Sequence, residues 1–248
     1  MNKSIIIHTL LILVLVAITV VGCGSSGGEE NEILEGSLPT LEVGDQWVCR
    51  QVQEGYEYVY TLKVIGKDII RGRRCYVFEM GSDDPLPMSL GNTSGEFYGE
   101  LNFALDKETY QEAAVMMAGT LTGEGFSIDL AAEEYSSYTF PDAFYWPLEV
   151  GKESTVVVTE STSITALGQT QTNEEERTEV RIVESIEDIT VAAGTFRCFK
   201  VIVLDEEGKK LRTYWYSDKV RWEVKSINHE DGQIDELISY SSSNGTIV

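Results

Sequence analysis

Residues 220–224 read VRWEV, and the fold turns on how that stretch is read. In an extended chain Val220, Trp222 and Val224 fall on one side, and Arg221 and Glu223 on the other. Alternation of period two with one polar side marks an antiparallel sheet, packed on one face and wet on the other. The neighbouring sequence repeats this texture. Upstream, GTFRCFKVIVLD (194–205) meets the turn residues EEGKK and then LRTYWYS (211–217). Downstream, the Asp231-Gly232 turn leads into QIDELISY (233–240). Tyr, Trp, Val, Ile and Thr dominate these runs, as strands prefer.

The N-terminal half has the same punctuation. DQWVCRQVQ (45–53), a Glu54-Gly55 turn and YEYVYTLKVIG (56–66) predict a hairpin, and RRCYVFEM (73–80) follows the Arg71-Gly72 turn. LDKETYQEAAVMMAG (105–119) departs from the pattern. Asp106 reads as an N-cap and Gly119 as a stop around helix formers, so helix or mixed structure is favoured there. A turn at Lys107-Glu108 with a returning strand is the alternative. Residues 81–95 and 119–125, rich in Gly, Ser, Asp and Pro, read as loops. The fold class expected is all-β with one or two short helices at most.

Leu41-Glu42-Val43-Gly44 recurs as Leu148-Glu149-Val150-Gly151. Each copy is followed by a long strand, an acidic-aliphatic bend, a glycine, and a strand in which a cysteine precedes an aromatic residue: Cys75-Tyr76 and Cys198-Phe199. Two related β units are expected, over 39–146 and 147–242, with a tail at 243–248.

Ahead of them, Lys3 and the apolar run Ile5–Val21 form a leader that ends at VVGC (20–23). That junction resembles a bacterial lipobox. The resemblance implies a signal peptide over 1–22, cleavage before Cys23, and acyl chains on that residue anchoring the protein to the cell membrane or outer membrane. Two chains give stable anchoring where one is marginal. GSSGGEENEILEGS (24–37) then reads as part of a flexible tether over 23–38. With 41 acidic against 19 basic residues and a net charge of −22, the chain repels phosphate backbones and anionic head groups. Nucleic acid is excluded as a partner.

The segments ITVAAGTFRCFKV, TYWYSDKVRWEVKS and DELISY, with LEVGDQW at 41–47, resemble a group of exported bacterial and archaeal proteins that carry AGTF-x-C, WYS and L-x-SY strands. The resemblance implies a curved antiparallel sheet, a half-barrel like that of the lipoprotein carriers LolA and LolB, which hold acyl chains on the concave face. Ser154 stands where the second unit would repeat Trp47.

Catalytic chemistry has little to work with. His229 is the one histidine beyond the leader, next to Glu230 and Asp231 at a turn, and reads as a surface residue. No G-x-S-x-G, phosphate loop or H-E-x-x-H occurs. No catalytic residue, metal site or cofactor is expected. Cys49, Cys75 and Cys198 lack metal or redox spacing and read as buried thiols, with a Cys75–Cys198 bridge conceivable. NEEER (173–177) and LDEEGKK (204–210) read as solvated turns. The candidate binding residues are the aromatics Trp47, Tyr214, Tyr216 and Trp222. The function expected is a non-catalytic, lipid-anchored binding protein with a hydrophobic ligand on an apolar concave face; the alternative is a scaffold that docks another envelope protein.

Protein extracted from membranes should begin at Cys23 and carry acyl chains in intact-mass measurement. A full-length, unacylated chain starting at Met1 contradicts the anchor.

Overall fold

The computed structural model describes residues 34–53, 56–90 and 93–243. The leader, Cys23, the start of the tether, the Glu54-Gly55 turn and the end of the tail lie outside the described residues. Among the described residues there are thirteen strands and no helix: β1 (Gln46–Gln53), β2 (Tyr56–Ile70), β3 (Arg73–Gly81), β4 (Leu86–Leu90), β5 (Thr93–Asp106), β6 (Glu112–Gly123), β7 (Phe126–Thr139), β8 (Glu153–Ala166), β9 (Gln169–Val191), β10 (Gly194–Leu204), β11 (Lys210–Ser217), β12 (Trp222–Asn228) and β13 (Ile234–Ser241).

Except for β3 and β4, successive strands pair antiparallel, as the alternation predicts, but the sheet does not stop at a half-barrel. β1 pairs with β13, from Gln46↔Ser241 to Val52↔Ile234. β3 pairs with β5 across the short β4, from Cys75↔Asp106 to Met80↔Leu101. These two ladders close twelve strands into a barrel, with β4 continuing the line of β3 along the first half of β5. Closure removes most of the edges that an open sheet would expose; residues 169–179 of β9 pair with β8 alone.

Two expectations are corrected. The 107–118 segment is not helical: Asp106 ends β5, its Oδ1 accepts the Glu108 and Thr109 amides, and β6 returns from Glu112. Ala113 and Ala114 pack with Cys75 and Ala104 in a small cluster, while Val115 and Met117 face inward, so a stretch of helix formers serves both faces of a strand. Residues 81–95 and 119–125 are largely strand as well. Their glycines make room for rings. A Cβ on Gly99 would press into the Ala118 carbonyl oxygen and lie 2.6 Å from Gly119 Cα and 2.7 Å from the Phe97 ring. Gly119, paired opposite, is equally crowded by Tyr98 and Phe97.

The repeated Leu-Glu-Val-Gly stretches make the same turn. Gly44 and Gly151 adopt φ of 98° and 87°, where side chains are strained. Gly44 N donates to Val64 O and Gly151 N to Val183 O, both at 2.8 Å. Val64 N returns to Asp45 O and Val183 N to Lys152 O, both at 2.9 Å. Leu41 and Leu148 are buried while Val43 and Val150 are exposed. The six barrel strands after the first turn and the six after the second make one sheet.

The end of the barrel that holds these turns is packed shut. Trp47, 1 % exposed, donates its indole N–H to Val220 O and lies against Phe78 and Trp222. Tyr145, Trp146 and Leu148, from the β7–β8 connection, pack on Phe199, Val201, Tyr214 and Tyr216. Leu34 and Leu38 join that cluster, and the Glu35 and Gly36 amides donate to Asp218, so the last tether residues lie on the barrel. The end of the β9–β10 hairpin reaches β12 and β13, with Phe196 against Tyr240 and Ala193 N donating to Leu237 O. This overlap buries β10 and β11 on both faces.

Gly99→Val should destabilise the barrel by about 2 kcal/mol through overpacking, lowering Tm by roughly 5 °C in calorimetry. Gly66→Ala, where the added methyl meets nothing within 4 Å, should leave Tm unchanged. Equal Tm values for the two variants would contradict the packing described.

Candidate functional site

Closure turns the inner faces of the strands into the wall of a lumen. Its main chamber, about 470 Å³, is lined from nearly every strand. A smaller pocket of about 190 Å³ shares Tyr60, Leu62, Phe103, Glu112 and Asp235 with it, so the two adjoin.

The wall is not the apolar face expected from the sequence. Period two carries charge inward as readily as it carries apolar groups. Arg177, Glu179 and Arg181 on β9 line the chamber with Glu160 of β8, Glu112 of β6, Arg212 of β11, Glu223 of β12 and Asp235 of β13. NEEER is therefore not a turn: its residues lie within β9, all of them exposed, with Arg177 also reaching the chamber wall. Glu223 faces the lumen, but Trp222 lines it too: Arg221, with φ of 55°, belongs to the turn and the strand begins only at Trp222, so strict alternation does not run through VRWEV. LDEEGKK does contain the β10–β11 turn.

Three arginines answer three carboxylates. Arg177 contacts Glu160 at 2.5 Å and Glu179 at 2.9 Å. Arg181 contacts Glu179 at 2.9 Å and also hydrogen-bonds Gln111, which donates to the Tyr145 hydroxyl. Arg212 pairs with Glu223. Burial pushes the Glu179 carboxyl up, but Arg181 and Arg177 outweigh it and hold the group below the usual carboxylate range. For Glu223 burial wins over Arg212, and its pKa is raised.

Three carboxyls remain without an ion-pair partner among the described residues: Glu112, Glu134 and Asp235. All three line the smaller pocket, whose other walls are Met80, Leu101, Phe103, Val115, Met117 and Ala132 with Gln51 and Gln233. Burial, then Glu134 and Glu160, push Glu112 up to about 8 against the pull of Arg177 and Arg212. Burial pushes Asp235 up to about 7 even though the Tyr60 hydroxyl donates to it at 2.9 Å and Ser226 at 3.3 Å. Burial and Glu160 raise Glu134, which accepts from Thr162 at 3.0 Å. Near neutral pH, Glu112 holds its proton.

The candidate aromatics divide. Tyr214 and Tyr216 share the inner face and line the chamber, as alternation predicts, while Trp215 points away and donates to Glu187. Trp222 lines the chamber at its aromatic end, stacked among Trp47, Phe78, Phe103 and Tyr110. Trp47 is a correction: it does not line the chamber, and it serves the packed floor beneath Trp222. Cys49 also reaches the chamber wall, its thiol pushed far up by burial. Cys75 and Cys198 are buried, with no disulfide bridge between them. His229 pairs with the Thr213 hydroxyl at 2.9 Å, away from both cavities. Glu112, Glu134, Arg177, Arg181 and Asp235 are absent from the residues expected on sequence grounds. The available signal was the two-residue spacing of Arg177, Glu179 and Arg181.

No protein-family model and no curated protein matches the chain. Among solved structures it is similar to a "putative exported protein with YmcC-like fold" from Bacteroides fragilis, at 13 % identity over 82 % of this chain and 97 % of that one, with a TM-score of 0.33.

Glu112 and Asp235 keep protons in the folded state up to pH about 8 and about 7, while in the unfolded chain they lose them near pH 4. Between those limits the folded state binds more protons, so stability falls as pH rises. Tm should drop by several degrees between pH 6 and 8.5, and Glu112→Gln and Asp235→Asn should each flatten that slope. A Tm that rises over this window contradicts the assignment.

Proposed function

We propose that this protein is an extracytoplasmic binding protein, tethered through Cys23, whose barrel holds a small amphiphilic molecule in its lumen. The location rests on the leader and the VVGC junction. The binding role rests on one observation: a barrel lumen in which a charged chamber adjoins a pocket with largely apolar walls. The combined space suits a small organic molecule, since ligand sites run from roughly 300 to 1,000 Å³. A purely hydrophobic ligand suits it poorly. Such a molecule would strip water from paired and unpaired charges without replacing their hydrogen bonds. Tyr214, Tyr216 and Trp222 provide flat apolar contact at the chamber's aromatic end.

A second reading, docking of an envelope protein, draws on β9. Residues 169–179 pair with β8 alone, because β10 joins β9 only from Val180. That leaves a strand edge open to an added strand.

Native mass spectrometry of the purified protein should detect a co-purifying small organic mass. Ala132→Phe, which fills the smaller pocket, should remove it. Wild-type protein that is consistently ligand-free, while the β9 edge captures a defined partner, would favour the second reading.

A further inference from the structure

We propose that the ligand is an organic cation, with an ammonium or amidinium group seated among Glu112, Glu134 and Asp235 and a short apolar body lying along Met80, Leu101 and Met117. This rests on the lumen-binding reading and names the chemistry of its occupant.

Hydrogen-bond supply decides that chemistry. The lumen's arginines are spent on Glu160, Glu179 and Glu223. The carboxyls left over are all gathered on the smaller pocket. Beside them, the Gln233 side-chain oxygen lines the same pocket, fully buried and without a donor. With its acids ionised the pocket offers more acceptors than donors, the donors being the Gln51 and Gln233 amide nitrogens. A group bringing several N–H donors and a positive charge fits that deficit, and a carboxylate or phosphate does not. A buried acceptor left unsatisfied is costly, so the deficit itself favours such an occupant. The apolar walls beside the acids call for an organic body on the cation; among the described residues no cluster of His, Cys, Asp or Glu is arranged to hold a metal ion. At the aromatic end of the chamber, Trp146 is 6 % exposed and its indole N–H has no acceptor. It can receive a ligand oxygen at the end remote from the charge.

The groups that face these carboxyls set the proton balance. Glu112 faces Glu134, Glu160, Arg177 and Arg212; Glu134 faces Glu160, Arg177 and Thr162; Asp235 faces Tyr60, Ser226, Arg212, Glu223 and Cys49. Before a cation enters, burial outweighs the arginines and keeps protons on Glu112 and Asp235 at pH 6. When it enters, a neutral carboxylic acid becomes a carboxylate paired with it, and the acid's proton passes to solvent. Binding should release protons and tighten as pH rises.

The probes are phenethylammonium, 3-phenylpropionate and 2-phenylethanol, titrated calorimetrically into the full chain at pH 6 and 8 in two buffers of different ionisation enthalpy. The cation should bind about tenfold or more tighter than the anion, with net proton release at pH 6 and tighter binding at pH 8. Glu112→Gln and Asp235→Asn, checked for folding by near-UV circular dichroism, should each weaken the cation by about tenfold. Anion or alcohol binding as tightly as the cation, or cation binding without proton release, overturns the inference while leaving a ligand-binding lumen in place. If no probe enters the lumen, the inference and the lumen-binding reading fall together. The ranking of probes in the wild-type protein needs no variant to fold.

Discussion

The ladder between β1 and β13 is the constraint on which the rest of the structure depends. It joins the first strand to the last, with Trp47 opposite Tyr240 and Cys49 opposite Leu237. Together with the β3–β5 ladder it converts a meander into a barrel. In an open trough the same charged side chains would face bulk water. Exposed ion pairs contribute only about 0–1 kcal/mol, and the carboxyls would titrate close to their ordinary values. Inside a closed wall each charge must be matched or neutralised. Arg177, Arg181 and Arg212 match three carboxylates, and burial raises the pKa of Glu112, Glu134 and Asp235.

The two turns built on Leu-Glu-Val-Gly place equivalent strand entrances on one end of the barrel. The strands that leave them carry different side chains. Trp47 comes after the first turn and packs into an aromatic floor with Phe78 and Trp222. Ser154 occupies the matching place after the second, buried and hydrogen-bonded to Ala143 O. The inner faces diverge in the same sense. β2, β3 and β5 bring Leu62, Met80, Leu101 and Phe103, whereas β8, β9, β11 and β12 bring Glu160, Arg177, Arg181, Arg212 and Glu223. The ion pairs of the lumen come from the second half, and the first half adds most of its aliphatic wall together with Glu112 and Glu134.

Local alternation makes the strands readable in the sequence, since which side of a strand a residue occupies is a property of near neighbours. Closure is not local. The β1–β13 pairing joins residues at opposite ends of the chain, and neither strand carries a mark of its partner. The error at 107–118 has a similar root. Ala113, Ala114, Met116 and Met117 favour helix in isolation, and only the cross-strand partners Ala104 and Phe103 make the strand preferable. Gly119 reads as a stop and loop signal because the rings it accommodates were not visible. Glu112 and Asp235 escaped notice because a charged residue on an alternating strand reads as solvent-facing. That inference holds for a sheet with one dry face and fails for a barrel with a wet interior. Tyr214, Tyr216 and Trp222 were found because aromatic residues signal a wall whichever side of it is dry.

Hydrogen exchange resolved to single amides tests closure most directly. The account predicts that the amides of Trp47–Val52 and Ile234–Tyr240 that bridge β1 and β13 exchange as slowly as those of the β10–β11 ladder, which is flanked on both sides. Rapid exchange along that seam, with β10–β11 still protected, would mean an open sheet and would contradict a closed barrel around a charge-bearing lumen.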